Sequence, residues 1–398
     1  MIHSKMILQL LSSFGHQINM RNHYYYSILL LALLLSGCRS EETPIFIPID
    51  ALTAYDSLLG HLEADSPGRG LDVFNESRRD RPMAYGLITS AEANRYRHTS
   101  DSSSLDRVRT CGNWLLENQD LNNNSIPGYG LADSWDAFSD GSINPVHNEY
   151  TITTAIAMAG LIDWHSIEPD TSIKHLIYEG IFAVSQPYLN TQFDSPLGIP
   201  AYSFSTPDLQ KDVYNPAVYL AGQLMRFAAI AKNDSLSNLL RDKSQSVMDV
   251  LFAQALKDTD DCYFWNYGTS ISTANDLVHA CYIIEGIREY EIQDGQLPAS
   301  FERVFCHLYD FQSDERWYEY VEPEYQNSDR NARLWGLGML MYSMAVEGQR
   351  TLVEETLWPQ IEEYHLGNGR FRFKEDDDRQ MVRQDAHLLL GLSFYLYN

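Results

Sequence analysis

An all-α fold, a ring of six inner and six outer helices, is predicted by three features of the sequence. Strand patterns are scarce, while helical periodicity recurs down the whole chain. Six segments that are apolar around most of their circumference start roughly sixty residues apart, a period that fits an array of helical hairpins. More polar, amphipathic segments alternate with them. A helix that is apolar on every side is buried on every side, whereas an amphipathic one keeps a wet face.

The inner segments are 83–96, 149–164, 216–231, 276–290, 332–346 and 385–397. Small residues stud them: Ala155, Ala157, Ala159 and Gly160; Ala217, Ala221 and Gly222; Gly336 and Gly338. Such residues let crowded helices approach closely, as dense packing requires. The outer segments are 103–117, 172–189, 236–256, 298–310 and 352–364. The sixth inner segment has no partner after it, and the amphipathic segment 50–63 has none before it. If these two pair, the array closes into an (α/α)6 toroid; if they do not, it is an open solenoid. Asn215-Pro216 places a capping side chain before a proline at the first helical position, and Asn148, Asn275 and Ser328 are expected to cap three other inner helices. The toroid is expected to be a single domain spanning 49–398.

Connections from an inner to an outer segment are short, and those from outer to inner are long: 64–82, 118–148, 190–215, 257–275, 311–331 and 365–384. Alternation puts all six long loops on one face. Long loops in a compact domain are usually functional, and binding residues concentrate on loops held by a rigid scaffold. These loops carry Tyr129, Trp135, Phe138, Tyr202, Tyr214, Trp265, Tyr267, Trp317, Tyr320 and Tyr325. Aromatic rings with polar edges suit sugar binding; about half of them are expected to cover the ring's core instead.

The N-terminal region reads separately. Residues 24–35 are a short apolar run followed by Ser36-Gly37-Cys38, about half the roughly 20 residues needed to span a bilayer. The run resembles a bacterial lipoprotein signal, which implies a leader over 1–37, starting at Met1 or at Met20 with Arg21 as its charged end. It also implies lipidation of Cys38, a linker over 38–48 and a place in the cell envelope, on the outer membrane, facing the periplasm or the surface. The net charge of −25 disfavours nucleic acid and anionic membrane surfaces as partners. The 44% hydrophobic content is ample for a large core. Cys111, Cys262, Cys281 and Cys306 form no CxxC pair and read as buried thiols; spacing leaves a Cys262–Cys281 disulfide open.

With the ring and its loops in place, the sequence resembles the (α/α)6-toroid carbohydrate enzymes, glycoside hydrolases and polysaccharide lyases among them. The local likeness is Glu149-Tyr150-Thr151-Ile152-Thr153-Thr154-Ala155-Ile156-Ala157-Met158-Ala159-Gly160-Leu161. It is similar to the alanine-rich inner helix of unsaturated glucuronyl hydrolases, whose entrance carries a catalytic aspartate. Here Glu149 and Tyr150 stand at that entrance.

Three constellations are candidates for chemistry. Asp276 and His279 are three residues apart, so they share a helix face at the loop-bearing end; a carboxylate beside an imidazole serves as a base or a binding pair. Asp136 and Glu149 are rim carboxylates, and glycoside hydrolysis needs two carboxyl groups roughly 5 to 9.5 Å apart. Arg78, Arg79, Arg81, Arg330, Arg333, Arg370, Arg372, Lys374, Arg379 and Arg383 form a cationic sector, and guanidinium groups grip carboxylates, pointing to an acidic sugar. Trp135, Tyr202, Tyr214, Trp265, Tyr267, Asn275, Arg330, Arg333 and Arg372 are the expected substrate contacts. The sequence has no HExxH, EF-hand loop or CxxC pair, the acidic run at Asp258, Asp260 and Asp261 reads as a solvated turn, and no metal or cofactor is expected.

The leading expectation is a lipid-anchored glycoside hydrolase acting on a uronate-containing oligosaccharide, with Asp136, Glu149 or Asp276 as acid and base. The alternative is a polysaccharide lyase or uronate epimerase. There His279 or Tyr214 removes a proton beside a carboxylate neutralised by Arg333 and Asn275. A glycan-binding lipoprotein without catalysis is the third reading.

Overall fold

The computed structural model describes residues 48–269, 275–321 and 331–398. Cys38 and the whole leader, together with Tyr325, Ser328 and Arg330, lie outside the described residues. Among the described residues, six inner helices alternate with an outer layer. The inner helices are α2 (Pro82–Thr99), α4 (Thr151–Ile167), α6 (Tyr214–Ile230), α8 (Leu277–Ile292), α10 (Leu334–Val346) and α12 (Val382–Tyr397). The outer ones are α1 (Ala51–His61), α3 (Ser102–Glu117), α5 (Thr171–Ser185), α7 (Asp234–Ala253), α9 (Glu302–Phe305) and α11, which runs over 350–362.

The ring closes. Helix α12 packs against both α10 and α2, and α1 packs on α12. Asn94 Nδ2 donates to the Ser393 carbonyl at 3.2 Å and Ser393 Oγ donates to the Ala91 carbonyl at 2.6 Å. The rings of Tyr55 and Tyr397 meet edge to face at 6.0 Å. The fold is the (α/α)6 toroid, not an open ribbon.

Glycine pairs set three of the inner crossings. A Cβ on Gly160 would lie 2.6 Å from the Gly86 carbonyl, one on Gly222 2.7 Å from the Gly286 carbonyl, and one on Gly391 2.4 Å from the Gly338 carbonyl. The backbones of α2 and α4, α6 and α8, and α10 and α12 therefore touch where any side chain would hold them apart. Gly336 plays no such part, since a Cβ there meets only the Leu277 side chain at 3.3 Å.

The expected caps are corrected. Outer helices use side chains: Asp50, Asp101, Asp170 and Asn233 cap α1, α3, α5 and α7. Inner helices mostly do not, and Asn148, Asn215 and Asn275 cap nothing. Instead the first N–H groups of four inner helices donate to a carbonyl of the following long loop: Thr151 to Tyr202 (3.1 Å), Tyr214 to Tyr267 (3.2 Å), Leu277 to Glu319 (2.9 Å) and Leu334 to Phe373 (3.1 Å). A main-chain acceptor satisfies an orphan helix donor as well as a side chain does, and here it also fastens each loop to its neighbour.

The outer layer departs from the sequence reading in two places. Over 298–310 only the single turn of α9 is α-helical, continuing as a 3₁₀ segment, Cys306–Phe311. Helix α11 is broken into Arg350–Leu352, a π-helical turn Val353–Leu357 and Trp358–Glu362. Pro359 explains the break, because its ring clashes with the carbonyl four residues back and it lacks an N–H. The cysteine pairing is also corrected: Cys262 is bonded to Cys306, with Cα atoms 5.8 Å apart, and Cys111 and Cys281 are buried thiols. Cys281 lies inside α8, one residue from the core tyrosine Tyr282, and is buried there.

Among the described residues the long loops carry three short hairpins: β1 (Arg69–Asp72) with β2 (Asn75–Asp80), β3 (Leu256–Lys257) with β4 (Tyr263–Phe264), and β5 (Gln312–Ser313) with β6 (Arg316–Trp317). Many of their aromatics cover the core. Trp265 donates Nε1 to the Leu251 carbonyl at 2.8 Å, Trp317 donates Nε1 to Thr356, and both are buried.

Candidate active site

The long loops and the starts of the inner helices enclose a cavity of about 980 Å³, at the upper end of the range for ligand pockets. One wall is aromatic: Trp135 and Phe138 from the loop before α4, Tyr150 at the start of α4, Tyr202 and Tyr267. Their rings interlock, with Tyr150 and Tyr202 edge to face at 5.5 Å and Phe138 against Tyr202 at 5.0 Å. At the mouth, Lys211 Nζ lies 2.8 Å from Asp140 Oδ2 and 4.9 Å from the centre of the Phe138 ring.

The opposite wall is charged and rises from α8, α10 and α12. Asp276 is the N-cap of α8 and accepts from the His279 N–H at 3.1 Å. The same oxygen lies 2.6 Å from His279 Nδ1, and its other oxygen accepts from Arg333 Nη2 at 2.7 Å. Burial pushes the Asp276 carboxyl up, but the adjoining His279 and Arg333 outweigh it and hold it below the usual carboxylate range. Asp276 is therefore an acceptor only, so His279 Nδ1 carries the proton and donates. The second ring nitrogen, Nε2, has no hydrogen-bond partner among the described residues, and the ring stands among Tyr267, Tyr282 and Trp335 at 5.1, 6.1 and 6.2 Å.

Arg333 is fixed by Glu319 as well, through Nε at 2.7 Å and through its own main-chain N–H at 2.7 Å. Burial pushes the Glu319 carboxyl up despite that contact. The Arg333 guanidinium lies 4.5 Å from the Trp335 ring, and Arg383 lies 4.6 Å from the same ring. Two cations thus lie against one indole, a contact its electron-rich face favours. Arg383 is buried and, among the described residues, gives a single side-chain hydrogen bond, Nη2 to Asp72 at 2.9 Å.

Behind this wall stands a second pair. Tyr282 Oη is 2.5 Å from His387 Nε2, and His387 Nδ1 is 2.6 Å from the Arg383 carbonyl. Burial lowers the His387 imidazole to about 3, leaving it neutral near pH 7. A carbonyl only accepts, so Nδ1 donates and Nε2 must accept from the tyrosine hydroxyl. The Tyr282 oxygen keeps its lone pairs, and Tyr282 itself lines the cavity.

Of the residues expected from sequence, Trp135, Tyr202, Tyr267, Asp276, His279 and Arg333 line the cavity together. Others are placed elsewhere. Asp136 closes its own loop, accepting from the Asp140 and Gly141 N–H groups at 3.2 and 2.8 Å. Glu149 is buried beneath the 119–128 loop, with Oε1 accepting from Asn122. Tyr214 and Trp265 are core residues. Asn275 braces the main chain, donating to the Trp265 carbonyl at 2.9 Å. Arg372 bonds the Glu375 carbonyl at 2.8 Å and pairs with Asp378. Arg78, Arg379 and Lys374 pair with Glu63, Asp377 and Asp376. Of the cationic sector's described residues, Arg333 and Arg383 reach the cavity.

Tyr282, Trp335 and His387 escape a reading of the sequence. Tyr282 lies three residues after His279 on the same helix face, a spacing that could have marked it. Trp335 and His387 are brought in by ring closure, which leaves no local trace.

The sequence matches no protein-family model, and no curated protein is significantly similar to it. Solved structures share the architecture. D-mannose isomerase superposes with a TM-score of 0.58 at 12% identity, covering 87% of this chain and 97% of that one. Cellobiose 2-epimerase from Bacillus thermoamylovorans B4167 gives 0.57 at 9% identity, covering 86% and 98%. A possible member of the GH105 family from Salmonella enterica serovar Paratyphi A gives 0.56 at 10% identity, covering 89% and 98%. At these identities the likeness is one of fold, and the toroid of this chain is the toroid of those proteins.

Proposed function

We propose that the protein is a carbohydrate-active enzyme that removes a proton from a sugar carbon next to a carboxylate, as a uronate epimerase or lyase does. The observation that carries this reading is His279. Its Nδ1 is locked on an ionised Asp276, and its Nε2 has no partner among the described residues, within a cavity large enough for an oligosaccharide. In that state Nε2 is a base. Arg333 and Arg383, both against the Trp335 ring, would grip the carboxylate as it takes up the electron pair of the broken C–H bond. Tyr282, one turn further along the same helix and hydrogen-bonded to His387, supplies or receives a proton beside it. Reprotonation of the carbon gives the epimer. Expulsion of the group on the adjacent carbon gives a double bond instead.

Hydrolysis, the leading expectation from sequence, is less well supported. Among the described residues the carboxylates on the cavity are Asp140, held by Lys211, and Asp276, held by His279 and Arg333. Neither is a free acid, and a glycosidase needs one. The solved toroids include an epimerase and an isomerase, which is consistent with sugar chemistry built on proton transfer. The lipoprotein-like start adds a place, with the enzyme tethered through Cys38 in the cell envelope and meeting glycans there.

The test is incubation with uronate-containing and neutral oligosaccharides in deuterated water. Wild-type enzyme is expected to wash deuterium into the carbon beside the carboxylate, with or without an unsaturated product. His279→Asn is expected to slow exchange by roughly 10²–10⁴-fold. New reducing ends with neither deuterium at that carbon nor unsaturation would overturn the reading in favour of hydrolysis.

A further inference from the structure

The loop leading from α3 toward the cavity contains Asp120-Leu121-Asn122-Asn123-Asn124-Ser125-Ile126. Oxygen-bearing side chains stand at its first, third and fifth positions, and the main-chain carbonyl of Ile126 follows at the seventh. That spacing is how a short loop wraps a calcium ion. Two departures hide it from a motif search: Ser125 replaces the glycine at position six, and position twelve is Leu131. The structure removes both objections. Ser125 adopts the left-handed backbone that the glycine would supply (φ 65°). The missing acidic ligand arrives from the start of α4, as Glu149.

Glu149 is 1% exposed, and its Oε2 is buried with no hydrogen-bond partner among the described residues. A buried carboxylate oxygen with no partner costs free energy unless something positive meets it. The side chain is aimed at the loop. Its Oε1 accepts from Asn122 Nδ2 at 2.8 Å, and the same nitrogen donates to the His147 carbonyl at 3.1 Å, so Asn122 holds the Glu149 carboxyl against the loop and leaves Oε2 as the oxygen without a partner. Gly128 clamps the arrangement from above. A Cβ there would sit 2.9 Å from Glu149 Cγ, and the Gly128 N–H closes the loop on the Gln119 carbonyl at 2.6 Å.

We infer that Asp120, Asn122, Asn124 and Glu149, with a main-chain carbonyl, form a calcium site outside the cavity. Hard oxygen donors bearing two formal negative charges suit Ca²⁺ better than a softer metal. The ion would tie the 119–128 loop to the start of α4. The chain that follows this loop carries Leu131, Trp135 and Phe138, and α4 carries Ile152 and Thr153, all of them cavity walls. Calcium therefore sets the shape of the aromatic wall without touching substrate. The site stands apart from the proton-transfer reading, and either can fail alone.

The experiment uses the full-length protein in detergent, stripped with a chelator and titrated calorimetrically with CaCl₂ and separately with MgCl₂. Saturable Ca²⁺ binding is expected within the roughly 10⁻⁴–10⁻³ M range of extracellular sites, with a rise in thermal midpoint that MgCl₂ does not reproduce. Asn124 is exposed, so Asn124→Ala leaves the core intact; with Asp120→Asn it is expected to weaken Ca²⁺ binding at least tenfold. Glu149→Gln is expected to do the same if it folds. Absence of saturable binding, or binding unchanged in both loop variants, would overturn the site.

Discussion

At the scale of single residues, the cavity is built on groups whose charge is set by their neighbours. Asp276 stays ionised because His279 and Arg333 offset its burial, and its Oδ1 takes the hydrogen bond of His279 Nδ1. Arg383 offers a planar fork that a lysine cannot copy. Arg383→Lys is expected to raise KM for a uronate substrate about tenfold, the worth of one charge-assisted hydrogen bond, while leaving any neutral oligosaccharide unaffected; steady-state kinetics on both checks this. A different residue governs pH-dependent stability. Glu285, two turns into α8, is buried with neither oxygen hydrogen-bonded among the described residues, and burial raises its carboxyl to about 7 despite Arg288 nearby. The folded protein thus holds this proton more tightly than the unfolded chain. The stability it contributes is complete below about pH 4.5 and is lost as pH rises to about 7, a span of roughly 3 kcal/mol. Glu285→Gln is expected to raise the urea midpoint at pH 8 and to leave it nearly unchanged at pH 4.5. The contact of Asp276 with His279 was readable from their spacing, and the place of Arg333 at the cavity from its position at the start of the fifth inner segment. The roles of Asp136 and Glu149 were not, because sequence cannot say which way a rim carboxylate turns.

At the scale of elements, the inner helices were the clearest signal, since a helix with no polar face has nowhere to go but the centre. Their ends were the least clear. Asn215 and Asn275 look like caps, yet the helix starts are satisfied by carbonyls from the next loop, contacts made across 39 to 53 residues that no local pattern encodes. The short outer turn α9 was likewise hidden, because its neighbourhood is organised by the Cys262–Cys306 bond and not by helical periodicity. Packing of the inner helices is tested at a glycine pair. A Cβ on Gly338 would lie 2.6 Å from the backbone of His387 and Leu388, where no side chain can swing aside. Gly338→Ala is expected to destabilise the fold by roughly 1–3 kcal/mol, read from chemical denaturation. Because α12 would be pushed outward, it should also displace His387 from Tyr282. Gly60, where an added Cβ would meet nothing within 4 Å, is the control: alanine there should be neutral or slightly stabilising.

At the scale of the whole molecule, closure of the ring turns scattered residues into one site. Arg333, at the N-cap of α10, and Arg383, on α12, both lie against the Trp335 ring, and only a closed toroid brings the 383–397 segment back to Asp72 and α2. The full chain carries a net charge of −25, so an anionic membrane surface repels it. Among the described residues, no helix is long and apolar enough to cross a membrane. The lipoprotein-like segment 24–38 offers another route, proposed above: a covalent lipid on Cys38 would contribute about 0.8 kcal/mol per buried methylene. Such attachment differs from electrostatic adsorption in a measurable way. Wild-type protein should stay with the membrane fraction through a high-salt wash, which screens surface charge, and should be released by detergent. Cys38→Ala should shift it to the soluble fraction or leave an uncleaved precursor. Release of the wild type by salt alone would show that no lipid holds it, and retention of a processed Cys38→Ala protein would place the anchor in some other residue.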